Sequence, residues 1–225
     1  MFKWWVLLTL YLTQGLPHGF FSQALPTLLR QQGMSLEAIG LMSLVSLPWV
    51  LKFLWAPLLD HYQPLKRLTG GCIDGHIRKT WIISANAIAA LVLIFIASMP
   101  LEYWINQAAV GLACALLVLT GFVVTQDIAT DALAVENIPT AQRGFGNSLQ
   151  VAGYRIGMII GGGLLLAIFA QLGWTGTLWA LAGLMILGLI PLWFWQPAPV
   201  KVNNEPVLQH WMGFLRLPGA GAWLL

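Results

Sequence analysis

The run TQDIATDALAVE (125–136) carries the densest chemistry in this sequence: two aspartates, Asp127 and Asp131, with Glu136 just beyond. At i and i+4 the aspartates share one face of a helix. Two carboxylates so placed can hold a proton between them or gate a passage. They can equally be solvated groups at a helix end. Three further charges stand out by isolation. Arg155 is the one charged residue between Gly144 and Val200. Lys52 is the one between Ala38 and Leu59, and Asp60 follows at once. An arginine alone in an apolar run is suited to holding an anion or to tying helices together through carbonyls or a carboxylate. Tyr11, Gln14, His18 and Ser22 are spaced by three, four and four residues, which lines a polar stripe along one helix face.

The elements that must position these groups follow from composition. Charged residues make up 8% of the 225-residue chain and hydrophobic ones 58%, against about 25% charged in an ordinary soluble domain. The class is therefore an all-α polytopic membrane protein with the bilayer as its surroundings. A span needs about 20 apolar residues, and runs of that size predict six helices near 4–29, 38–59, 80–100, 104–130, 145–170 and 174–195. The last two are separated by a break at Gln171-Leu172-Gly173. The first run is longer than the core of a secretory signal and more spans follow it, so it is read as a span. Cys72 and Cys114 make neither a disulfide framework nor a metal-ligand spacing. No metal, cofactor or nucleic-acid partner is expected, and the net charge of +3 is a topology signal.

Basic residues are counted by side. With six spans the two termini share a side, which holds Lys3, Lys66, Arg67, Arg78, Lys79, Arg143, Lys201 and Arg216, against Arg30 alone opposite. The positive-inside rule then predicts a cytoplasmic N-terminus. Trp4, Trp5, Trp174, Trp193 and Trp195 lie near span ends, where amphipathic rings favour the interface. Residues 1–196 read as the bundle and 197–215 as a cytoplasmic linker. Residues 216–225 read as the start of a seventh helix.

Depth separates the charges. Arg155 is ten residues past Phe145, or about 15 Å along the axis, near the middle of a core about 30 Å thick. A central charge costs at least about 2.5 kcal/mol, so Arg155 either binds an anionic substrate or ties helices together. Lys52 lies about 12 Å inside Asp60 and faces either a wet cavity or a gate contact. His18 is either a hydrogen-bonded interior histidine or a proton carrier. Gly15, Pro17, Gly19 and Pro26 loosen the first helix, so that freed backbone can line a cavity. Gly153, Gly157 and Gly161 form two overlapping GxxxG motifs, a packing feature.

Three longer strings add a resemblance. IGLMSLVSLPWVLKFLWAPLLD (39–60), TQDIATDALAVE (125–136) and GNSLQVAGYRIGMIIGGGLLL (146–166) are similar to the AmpG-type branch of the major facilitator superfamily. That branch includes muropeptide permeases and single-component siderophore importers of the bacterial inner membrane. QGLPHGFFSQALPTLLRQQG (14–33) resembles the siderophore importers of the RhtX/FptX type. The resemblance implies twelve helices in two six-helix bundles, this chain being the N-terminal one and its partner the missing C-terminal half. It places Asp60 at the gate aspartate of the loop between spans 2 and 3. The superfamily's G-x-x-x-D-R-x-G-R-[KR] pattern is absent there: Ala56 replaces the glycine, His61 follows the aspartate, and the basic pair is delayed to Arg78-Lys79. The glycine stripe resembles the close-packed face of helix 5, which would meet a helix of the missing half.

The leading expectation is a proton-coupled secondary transporter that imports a bulky polar solute. A ferric siderophore stands first and a muropeptide second. Arg155, Tyr11, Gln14, His18 and Lys52 would bind substrate, and Asp127, Asp131 and Asp60 would couple or gate. No ATP-binding P-loop pattern occurs. An intramembrane prenyltransferase could use Asp127 and Asp131 to hold Mg²⁺ on a diphosphate, but it needs a second acidic cluster, and Asp60 and Asp74 are fourteen residues apart. A non-transporting half bundle is the third alternative.

Overall fold

The computed structural model describes residues 2–61 and 77–196, and its regular structure among these residues is entirely helical. The linker and the seventh helix expected after residue 196 lie outside the described residues, as do Lys66, Arg67 and the side chain of Asp60. The first stretch is α1 (Phe2–Gly19), a π-helical segment (Phe20–Ala24) and α2 (Leu25–Gln31). The second is α3 (Leu36–Met42), α4 (Leu47–Leu51) and α5 (Ala56–His61), linked by 3₁₀ turns at Ser43–Ser46 and Lys52–Leu54. α6 (Ile77–Ala97), the short α7 (Leu101–Asn106) and the long α8 (Ala109–Asn137) follow. The fifth stretch is α9 (Arg143–Met158), a second π segment (Ile159–Leu164) and α10 (Leu165–Ala167). α11 (Phe169–Leu187) and α12 (Ile190–Phe194) form the sixth.

Five of these stretches are long and apolar enough to cross a membrane: Leu36–Leu54, Ile77–Ala97, Ala109–Asn137, Thr140–Ala167 and Phe169–Phe194. The chain is a multi-pass membrane protein. Residues 2–31, expected as a sixth span, are helical but are not among the five, because Thr9, Tyr11, Thr13, Gln14, His18 and Ser22 dilute their apolar content.

Local sequence explains the breaks. Pro48 and Pro57 lack the N–H that would bond Leu44 and Phe53 four residues back, and each proline follows closely on one of the 3₁₀ turns of the second stretch. The fourth helix differs from its expected bounds of 104–130. Ala108 leaves the helical region at φ −139° and ψ 37°, so Leu101–Asn106 is a separate helix. α8 then runs to Asn137 and stops where Ile138, extended before Pro139, cannot continue it. All three acidic residues of 125–136 are therefore inside the helix. The break expected at 171–173 falls on Gly173, with φ 64° and ψ −175°. That backbone region is open essentially to glycine alone. Gly173→Ala is expected to lower the melting temperature of the detergent-solubilised protein, from a strain of about 1–3 kcal/mol. A melting point equal to wild type would show that the turn does not hold this conformation.

Lipid tails are as apolar as leucine, so van der Waals fit between helices does most of the packing work. α6 packs on α8 and α11 on α6, around Leu93, Leu112, Leu119 and Leu181, all buried. The tightest contact is α1 on α9. A methyl group at Gly153, Gly157 or Gly161 would meet the carbonyl oxygens of Leu8, Leu12 and Leu16 respectively. One at Gly15 or Gly19 would meet those of Tyr154 and Met158. The glycine stripe of the fifth stretch, expected to face a missing half, is thus used up inside this chain. Its partner is the Gly15-x-x-x-Gly19 pair of α1, read from sequence only as loosening the helix.

Candidate functional site: a carboxylate hub on α8

α1 starts, α8 ends and α9 starts on one side of the bundle, as the edge-to-face contact of Trp4 with Phe145 at 4.8 Å shows. On this side the last three turns of α8 present three carboxylates, and each is taken by a different neighbour. Lys52 Nζ lies 3.1 Å from Asp127 Oδ2. Tyr11 Oη donates to Asp131 Oδ1 at 3.3 Å, and Gln150 Nε2 donates to the same oxygen at 3.0 Å. Arg78 Nε pairs with Glu136 Oε1 at 3.0 Å and its Nη1 reaches the Leu59 carbonyl at 3.4 Å. The fourth stretch is thereby tied to the first, second, third and fifth at one end.

Backbone breaks place the partners. Lys52 opens the 3₁₀ turn between α4 and α5, which turns its side chain toward α8. The neighbouring Trp55 Nε1 donates to Thr125 Oγ1 at 3.3 Å on the same helix. Tyr11 is brought up by the close approach of α1 to α9, and Gln150 lies one turn before Gly153 in that contact. The pairs differ in burial. The Asp127 side chain is 12% exposed but its Lys52 partner 41%, so the lysine can leave while the aspartate stays. Arg78 and Glu136 are 11% and 19% exposed. Removing one member of a well-buried pair strands the other charge at about 3–5 kcal/mol, and the Lys52 pair falls below that because water reaches the lysine.

Charge reversal tests the first pair. Lys52→Glu or Asp127→Lys alone is expected to lower membrane accumulation severalfold, and the double reversal to restore most of it. Equal losses in singles and double would show that the two residues do not act on each other.

Two cavities flank the hub's level. One of about 310 Å³ is lined by Tyr11, Asp131, Arg143, Asn147 and Gln150, on the side of the N-terminus. The other, about 380 Å³, lies toward the far side between the first, second and fourth stretches, lined by His18, Ser22, Ser46, Trp49, Leu116 and Thr120. His18 sits edge-on to Trp49 at 5.0 Å and tilted against Tyr154 at 5.5 Å. Between the cavities Gln14 is buried, and its amide nitrogen has no hydrogen-bond partner among the described residues.

The structure joins Tyr11, Lys52, Asp127 and Asp131 into one cluster. Lys52, expected to face water or a gate contact, pairs with Asp127 and is still 41% exposed. His18 belongs to the far cavity. Arg155 stands apart on the exposed face of α9, without a hydrogen-bond or ion-pair partner among the described residues. Gln150, Trp49 and the Arg78–Glu136 pair were missed. Trp49 had one signal, a tryptophan in mid-span rather than at an end.

Comparison with known proteins gives one direction. Residues 3–172 match the family model Acatn, described as acetyl-coenzyme A transporter 1. An anhydromuropeptide permease of Escherichia coli (strain K12) is 34% identical over 204 residues, 90% of this chain and 38% of that protein. An uncharacterized protein of Haemophilus influenzae is 36% identical over 203 residues, 87% of this chain and 44% of that protein. A putative transporter AmpG 1 of Rickettsia conorii is 30% identical over 165 residues, 73% of this chain and 37% of that protein. The chain spans less than half the length of these curated relatives.

Proposed function

This chain belongs to the Acatn family and is similar to AmpG-type permeases, and from that premise we propose that it is the N-terminal six-helix half of a twelve-helix, proton-coupled importer of the major facilitator type. The protein sits in the bacterial inner membrane with its N-terminus in the cytoplasm, works as a permease and not an enzyme, and carries a muropeptide. The names of the relatives favour a muropeptide over the ferric siderophore expected from sequence, which moves to second place.

One observation carries the mechanism: at one end of the bundle three carboxylates of α8 tie it to four neighbouring stretches. Bonds of this kind can be exchanged for a proton or for water, which packed leucines cannot. A proton arriving at Asp131 would weaken its hold on Tyr11 and Gln150 and release the fifth stretch from the fourth. Asp127 and Asp131 face separate protein partners, which supports gating over a shared metal and so favours transport over the prenyltransferase alternative.

Arg155 is the substrate residue of this reading. A partnerless guanidinium on a membrane helix is costly in lipid, and a wet central cavity with an anionic solute removes that cost. Cells lacking their own importer, carrying the full reading frame, are expected to take up labelled anhydromuropeptide. Arg155→Ala should reduce uptake at least about tenfold, a loss of about 1.4 kcal/mol, with the mutant still present in the membrane, and a protonophore should abolish most wild-type uptake. Uptake of a ferric siderophore and not of muropeptide would reverse the substrate order. Uptake of neither would sink the importer.

A further inference from the structure

The first and fifth stretches leave the α-helix at the same level, and they do so where they touch. Phe20–Ala24 and Ile159–Leu164 are both π-helical and in contact with each other. A methyl group at Gly162 would meet the Gln23 side chain and the Gly19 carbonyl. Single π turns are rare and cluster at functional places, so two facing ones call for a shared reason. Each has a local cause. Pro26 cannot donate to the Ser22 carbonyl, and Thr27 Oγ1 donates to Gln23 O at 2.8 Å while Ser22 Oγ donates to His18 O at 2.7 Å. The second segment contains Gly161, Gly162 and Gly163, which lower the penalty for leaving the α-helix.

Rigid and loose parts meet here. Up to and into the π segments, the first and fifth stretches are locked by glycines against backbone carbonyls, Gly161 against Leu16 and Gly162 against Gly19. Beyond them, Leu25, Pro26 and Leu29 form one wall of the far cavity, and Phe21 and Ser22 of the π segment itself belong to the same wall. The opposite wall is the second stretch, around Ser46 and Trp49. We propose that the paired π segments are one bending joint, about which the far ends of the first and fifth stretches tilt together, so that Leu25, Pro26 and Leu29 of the first stretch set the width of the cavity against Ser46 on the second. This is a bend within the bundle, distinct from motion of the bundle as a unit, and it needs no bound substrate.

The test uses the full reading frame with Cys72→Ser, Cys114→Ser and the reporter Thr120→Cys, a buried position on the cavity wall. The rate of maleimide labelling of the purified protein reads how often the cavity widens. Gly163→Ala adds a methyl into open space inside the joint, and Gly183→Ala adds one into open space on α11. Gly163→Ala is expected to slow labelling at least about fivefold, while Gly183→Ala stays within about twofold of the parent. Equal rates in the two variants overturn the joint. Hydrogen exchange on the unmodified protein decides independently. Amides of 20–26 and 159–166 should exchange together and faster than those of 10–17 and 147–155, and equal protection would also overturn it. Neither readout involves substrate, so a failed importer assay leaves this result standing, and the reverse.

Discussion

Asp131→Asn is expected to abolish most uptake, at least about tenfold below wild type, while the protein reaches the membrane at its normal level. The substitution keeps an acceptor oxygen for Tyr11 and Gln150, which donate to Asp131 Oδ1 at 3.3 and 3.0 Å. It removes only the charge and the ability to take a proton. A structural role would survive this change, and a coupling role would not. Asp131→Ala should behave worse, losing both the acceptor and some of the accumulated protein. A buried donor left unpaired costs about 1–3 kcal/mol, which applies to buried Tyr11 and less to half-buried Gln150. The decisive comparison is uptake per copy in the membrane. Wild-type uptake per copy by Asp131→Asn would remove Asp131 from the mechanism and leave it as a tie between helices.

Gly157→Val is expected to be the most damaging single change to folding. A side chain there would collide with the Leu12 carbonyl, and it would press on Gly15 Cα at 2.9 Å and Leu16 N at 3.0 Å. All three are backbone atoms of α1, which cannot rotate aside as a side chain does. Overpacking typically costs about 1–3 kcal/mol, and a backbone collision belongs at the upper end. Against a total stability of about 5–15 kcal/mol, that loss drives a membrane protein toward degradation. Accumulation in membranes should fall to below about a tenth of wild type. Gly121→Val, where nothing lies within contact distance of the added carbon, is the control and should accumulate normally. Similar levels for both variants would mean that α1 and α9 do not pack through this stripe.

Some of this molecule was legible before its structure. The aspartates at 127 and 131 share a face because the helix period is fixed, and both line up on α8 toward neighbouring stretches. Gly173 marks a kink inside α11, at the break read from sequence, because no other residue suits its backbone. Partners were less legible. Lys52 and Asp127 are 75 positions apart, and no local period links them. Only the 3₁₀ turn forced near Pro57 turns the lysine toward α8. The glycine stripe announced a close approach but not its target. GxxxG specifies a surface into which any helix with a matching groove can settle, and the match at Gly15 and Gly19 was masked by the prolines around it. The π segments were invisible for a related reason. Pro26 and the run Gly161-Gly162-Gly163 loosen their helices, but neither says whether a loosened helix breaks, kinks or widens.

The modest hydrophobicity of residues 2–31 bears on how the protein is made. This stretch is synthesised before the others and is poorly suited to rest in lipid by itself. Its tightest partner, α9, follows roughly 140 residues later, which at 5–20 residues per second is a delay on the order of ten seconds. During that interval the polar stripe needs a substitute neighbour, either the insertion machinery or a chaperone within the membrane. Nascent chains cut short before Gly153 should therefore be retained at the translocon or destroyed, while chains extended past Gly163 should be released into the bilayer.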